Sequence, residues 1–149
     1  MKNLIKPLFL SAIMILAAFS CDDDEDENHN HLIGTWKCIG FGSSETNELR
    51  EIEPENCDEC YILTFKTDGT FDGKIVMSVF SGKYEISESN KVTFSDIIST
   101  DIGEIGDAAN YRDIYLNGTT YFKYNLIENQ LKLYYSGSET EYLLYNLRN

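Results

Sequence analysis

From Leu32 to Leu147 the chain reads as short runs in which apolar and polar residues alternate, the period of two that puts successive side chains on opposite faces of a strand. "LIGTWKCIGF" (Leu32 to Phe41) predicts a first strand with Trp36, Cys38 and Gly40 on one face and Thr35, Lys37 and Ile39 on the other. The polar stretch "GSSETNELREIEPENCDEC" then reads as a loop long enough to carry its own constraint. "YILTFKTDGTFDGKI" predicts a hairpin: Tyr61, Leu63 and Phe65 alternate with Thr64 and Lys66, and Asp68-Gly69 suits the positive φ angles of a tight turn. "SGKYEISESNKVTFSDI" predicts a second, with Tyr84 and Ile86 on one arm, Val92 and Phe94 on the other, and Ser89-Asn90 near the turn.

The pattern breaks at "STDIGEIGDAANYRDIYLNGT". There Asp107 is placed to cap a short helix that carries Tyr111, Ile114 and Tyr115 on one face and ends at Gly118. A three-strand meander follows: "TYFKYNLI", the turn "ENQ", "LKLYY", the turn "SGSE" and "TEYLLYNL". About eight short strands and one helix predict an all-β domain, a small antiparallel β-barrel over residues 32–149. Closure removes the edges on which tyrosine-rich strands would aggregate. An eight-stranded ring is only just wide enough for side chains to fill. The expected filling is Trp36, Tyr61, Leu63, Phe65, Tyr84, Ile86, Phe94, Leu131 and Leu133.

Ahead of the strands the pattern differs. Lys2 and Lys6 precede an uncharged run, "LFLSAIMILAAF", from Leu8 to Phe19, the layout of a secretory signal over residues 1–20. The run is too short for a spanning helix, which needs ~20 apolar residues. It ends in "AFSC", Ala18 to Cys21, which resembles a bacterial lipobox. The resemblance implies lipidation of Cys21 and a membrane anchor that three acyl chains make effectively permanent, at ~0.8 kcal/mol per buried methylene. "CDDDEDENHNH", residues 21–31, holds six consecutive carboxylates and reads as an extended, self-repelling tether. Acids directly after a lipidated cysteine also resemble the surface-export signal of gut-type Gram-negative bacteria. The expected location is therefore the outer membrane, at the cell surface, with the periplasmic face as the alternative.

Several motifs of the barrel region resemble the META-domain family of small HslJ-like bacterial lipoproteins and secreted proteins: "GTW", "CDECYILTF", "DGTFDG", "GKYEI", "IIST" and "LKLYY", in that order from Leu32 to Leu147. The resemblance implies a lipocalin-type barrel and brings no catalytic residue. "GTW" also resembles the G-x-W of lipocalins, and it reads here as a core tryptophan at a strand start.

Charge and composition narrow the function. From Cys21 onward there are ten basic and 25 acidic residues, and beyond the acid run ten against 19, a net −9. Such a surface repels nucleic acid, and no Lys/Arg cluster in the sequence argues otherwise. His29 and His31, the two histidines, lie in the tether, so no Ser-His or Cys-His pair is expected in the body, and neither a catalytic site nor a cofactor. "DEDENHNH" would have to order flexible ligands to hold a cation, so no metal is expected there.

Cys57-Asp58-Glu59-Cys60 is the one constellation left. A redox C-x-x-C wants a helix amino terminus, whereas two carboxylates stand between these sulfurs and a strand follows. Zinc would need two further ligands, with Cys38 the remaining thiol. In an oxidising compartment the expectation is a Cys57–Cys60 disulfide with Cys38 a buried free thiol. Envelope-stress lipoproteins of the NlpE type share the layout of a C-x-x-C in a small lipidated barrel. The function expected is a monomeric, non-catalytic envelope lipoprotein with an interaction or integrity role. The alternatives are a lipocalin-like binder of a small apolar ligand and a metal- or redox-sensing stress lipoprotein.

Overall fold

The structure is a computed structural model that describes residues 31–149 except 88, 101, 119 and 120. The signal segment, Cys21 and the tether up to residue 30 lie outside the described residues.

The elements are β1 (Gly34–Ser43), β2 (Glu48–Glu51), β3 (Ile62–Phe65), β4 (Thr70–Lys74), β5 (Val79–Ser87), β6 (Lys91–Ser99), α1 (Asp107–Leu116), β7 (Tyr121–Ile127), β8 (Gln130–Tyr134) and β9 (Glu141–Arg148). The fold is all-β with one short helix, and every strand pairing is antiparallel. Strands β3 to β9 pair in sequence order, and β1 pairs with both β3 and β9, so the sheet closes into a ring of eight strands. The ninth strand, β2, comes from the stretch read as a loop. All four of its residues are exposed, and it extends the pairing of β1 through Gly40–Ser43.

Two local features depart from simple alternation. Cys38 pairs with Tyr145 and Gly40 with Leu144, so Ile39 is an extra residue, a bulge. The bulge turns Gly40 away from the face of Trp36 and Cys38 to the outward face. Gly42 is outward as well, opposite Tyr142, where an added Cβ would lie 2.3 Å from the tyrosine ring. Only glycine lets that ring lie flat on the sheet. Elsewhere the turns use the expected residues, with Gly69 at φ 78°, Asn90 at 50°, Glu128 at 53° and Gly137 at 68°.

The helix begins at its predicted cap, Asp107, and the cap itself lies one residue earlier. Gly106, at φ 60°, is the N-cap and makes no side-chain cap bond. Asp107 is instead the first helical residue, because its carboxylate has stronger partners. It accepts from both terminal nitrogens of Arg50, at 2.7 and 2.9 Å, and from the Glu53 backbone N–H at 3.0 Å. This fork ties β2 to the helix start. The helix ends at Leu116, and the Asn117 N–H bonds to Asp113 O at 2.9 Å.

The ring interior is filled with rings. Phe71, Phe94 and Phe122 meet edge to face, and Phe65 meets Tyr84 in the same way. The helix adds Tyr111, against Tyr61, Phe80 and Tyr145, and Tyr115, against Phe80, Phe94 and Phe122. Each such pair adds ~0.5–1.5 kcal/mol beyond its burial. Trp36, Tyr61, Leu63, Phe65, Tyr84, Phe94, Leu131 and Leu133 are all buried in this core, and Ile86 is half-buried against it.

Candidate interaction surface

Inside the ring the polar groups are few and paired. The hydroxyls of Tyr111 and Tyr115 each lie 2.7 Å from that of Tyr145, so both helix phenols meet at one β9 oxygen. Burial holds all three phenols well above their usual range. Cys38, paired with Tyr145 across β1 and β9, is fully buried, and burial pushes its thiol up to about 12. The three hydroxyls satisfy one another, and the Cys38 thiol donates to Gly40 O at 3.8 Å, so these buried polar groups are paired.

Cys57 and Cys60 are bonded as a disulfide with Cα atoms 5.3 Å apart. Lys37 holds the small loop they close: its ammonium donates to the carbonyls of Cys57 and Cys60, each at 2.5 Å. Burial lowers the Lys37 pKa. Arg148, at 2.5 Å from Glu59, ties the same loop to β9. Cys38 is a free thiol within the core, so it takes no part in this loop. Among the described residues no group of three or more His, Cys, Asp and Glu is placed to hold a metal ion.

The conspicuous chemistry is on the outside. Met77, Val79, Ile98, Ile102 and Ile105 are exposed, Ile98 by 71% and Ile105 by 83%. Strand register makes Val79 and Ile98 neighbours, since Ser81 pairs with Ile98 and Val79 lies one alternation along β5. The flanking loops are fixed by Glu104. Its carboxylate accepts from the backbone N–H groups of Met77 and Ser78, at 2.9 and 2.7 Å, and the buried Ser78 hydroxyl donates to Ile102 O at 3.1 Å. The apolar tips are thus presented by an ordered frame rather than by loose loops.

Beside them is a groove of about 510 Å³ across the outer face of β4, β5 and β6, lined by Ile62, Asp72, Lys74, Val79, Ile98 and Thr100 among others. A second bulge shapes it. Between the pairs Ser81–Ile98 and Lys83–Ser95, β6 carries one residue more than β5, and Asp96 adopts φ 52°. Gly82 accommodates the bend, because a Cβ there would lie 2.6 Å from Ser95 O. The bulge turns Ile97 partly inward and leaves Ile98 outward.

No residue of this surface was singled out by the reading of strand periodicity. A signal was present: "IIS" in β6 places two isoleucines in succession where alternation calls for one. An apolar residue on the face that should be polar is the break in alternation that locates this surface.

No protein-family model matches the chain, and no curated protein matches it. Among solved structures the fold is similar to that of a DUF4847 family protein from Bacteroides vulgatus ATCC 8482. That similarity spans 80% of this chain and 95% of that chain, with a TM-score of 0.56 at 16% sequence identity. At such identity the likeness is one of fold: a mostly antiparallel sheet with ring-like closure and a single short helix.

Proposed function

We propose that this protein is a lipid-anchored lipoprotein of the outer membrane, displayed at the cell surface, with a non-catalytic interaction role. The anchor rests on the apolar run that ends in "AFSC" and the acid run behind Cys21. The interaction role rests on one observation, the framed apolar face of Met77, Val79, Ile98, Ile102 and Ile105 beside the β4–β6 groove. Val79 and Ile98 are neighbours on it, and exposed apolar side chains gathered in this way are a mark of contact surfaces. A META-domain affiliation belongs to the same reading, supported by "GTW" in β1, "GKYEI" in β5 and "LKLYY" in β8.

Two experiments test it separately. Cys21→Ser should release the protein from the membrane fraction and abolish fatty-acid labelling; labelled fatty acid on the variant would remove the anchor. A photo-crosslinking residue at position 98 should give one discrete protein adduct on intact cells, and the same residue at Glu128, an exposed turn position, should give none. Equal labelling from both positions would remove the interaction role.

The groove supports a second reading, a small apolar ligand. Its volume of about 510 Å³ falls within the ~300–1,000 Å³ of ordinary ligand sites. Under that reading native mass spectrometry of protein from the envelope shows a bound lipid-sized mass that Ile98→Asp removes.

A further inference from the structure

Strand register sets out the wall of the β4–β6 groove row by row. Ile62 stands opposite Lys74 and Lys74 opposite Val79, so one row across β3, β4 and β5 reads apolar, cationic, apolar. The next row holds Asp72 opposite Ser81 and Ser81 opposite Ile98. All six residues line the groove. Its apolar side is thus Val79 and Ile98, on β5 and β6, and its charges stand on β4.

The two charges differ in how they are engaged. Asp72 meets the Lys66 ammonium at 2.5 Å, so its carboxylate already has a cation. Lys74 has no counterpart of that kind. Elsewhere Lys83 and Lys123 meet carboxylates, Lys37 meets two carbonyls, and Lys91 and Lys132 lie over tyrosine rings. Among the described residues Lys74 is the lysine with no ion pair, hydrogen bond or ring. Acids outnumber bases 19 to ten in the body, which makes an unpaired ammonium all the less expected.

The surroundings of that ammonium favour an anion. Its cross-strand neighbours Ile62 and Val79, with Cβ atoms ~5 Å away, are apolar. A charge-assisted bond formed against an apolar wall is stronger than one in open water. From β4 to β6 the wall runs two strand spacings, ~10 Å, which one extended chain can follow. Beyond it lie the exposed side chains of Met77 and Ile102.

We propose that the groove binds a single-chain amphiphile with an anionic head, the head on the Lys74 ammonium and the chain laid over Val79 and Ile98. The assignment rests on the groove being a small-ligand site, the second of the two functional readings, and adds to it the charge and the direction of the ligand.

The test is a titration of purified protein, freed of bound lipid, with decanoate and with decanol at pH 8, read from the methyl NMR shifts of Val79 and Ile98. Ile127, exposed on β7 and not part of the groove lining, reports non-specific adsorption. Both groove methyls should shift while Ile127 stays still, and decanoate should bind about fivefold more tightly than decanol. Octanoate should bind up to about tenfold more weakly than decanoate, since each methylene laid on the wall tightens binding by up to about fourfold. Lys74→Gln should bring decanoate down to the level of decanol and leave decanol unchanged. Lys83→Gln, which loses only the pair with Asp96, should change neither. Decanol binding as tightly as decanoate, or a Lys74→Gln variant that binds decanoate as wild type does, would overturn the anionic head and leave the apolar-ligand reading standing. No groove shift with either probe would overturn both. Ile127 shifting in step with Val79 and Ile98 would reduce the binding to adsorption and overturn the proposal as well.

Discussion

Tyr145→Phe removes one oxygen from the centre of the buried hydroxyl cluster and leaves the ring that fills the space. Two hydrogen bonds of 2.7 Å go with it, and the Tyr111 and Tyr115 hydroxyls stay enclosed with their common partner gone. A buried polar group left unsatisfied costs ~1–3 kcal/mol. Re-pairing of the two survivors recovers part of that, so the expected loss at pH 7 is about 1–3 kcal/mol in all. For a domain of this size that is a fall in Tm of about 4 °C per kcal/mol. The pH dependence supplies a second arm. The folded state raises the Tyr145 pKa by burial, so it keeps a proton that the unfolded chain releases near pH 10. The stability so contributed is whole below pH 10 and falls as pH rises above it. Wild type carries this group and the variant lacks it, so the gap between them should narrow by ~1.4 kcal/mol per pH unit above pH 10. Urea titrations followed by circular dichroism at pH 7, 10 and 11 measure both. A variant as stable as wild type at pH 7, or a gap that stays constant to pH 11, would refute the reasoning.

Asp107→Asn should cost about 0.5–1 kcal/mol at pH 7, the modest value of an ion pair whose Arg50 partner is 59% exposed. The Arg50 guanidinium lowers the Asp107 pKa, so the wild-type advantage is present above about pH 4 and lost as pH falls through the folded value; acid titration of both proteins reads it. The Cys38 thiol, pushed up to about 12, should resist a thiol reagent at pH 8 in the native protein and react fully once denatured. Intact mass should show a single disulfide, Cys57–Cys60. The double Cys57→Ser/Cys60→Ser variant should fold with a loss below ~3 kcal/mol, since the loop it opens is short.

The strands legible in advance were those whose inward residues are large and whose outward residues are polar, such as Tyr84 and Ile86 in β5 or Leu131 and Leu133 in β8. β2 was invisible because "ELRE" has no apolar face; its extended form comes from the backbone groups that β1 offers it. The bulge at Ile39 left no mark either. Local sequence reads as unbroken alternation there, and the register is imposed by Leu144 and Tyr145, more than a hundred residues away. The helix face of Tyr111 and Tyr115 could be read, but its meeting with Tyr145 could not, because it depends on ring closure. The setting of Lys74 between Ile62 and Val79 was hidden for a related reason: the three are separated in sequence and adjacent only through strand pairing.

The dual pairing of β1 has a consequence for how the chain folds. Its longest partnership, from Thr35 to Ser43 with β9, joins the first strand to the last, with Thr35 opposite Arg148. Contact order is therefore high, and folding of this topology is slow, on the scale of ms to s. Until β9 has been made and delivered, one edge of β1 has no partner, and an open edge invites pairing with another chain. Loss of β9 would thus expose a strand edge at the opposite terminus, and a chain cut short there should aggregate through β1 rather than persist as a slightly smaller ring.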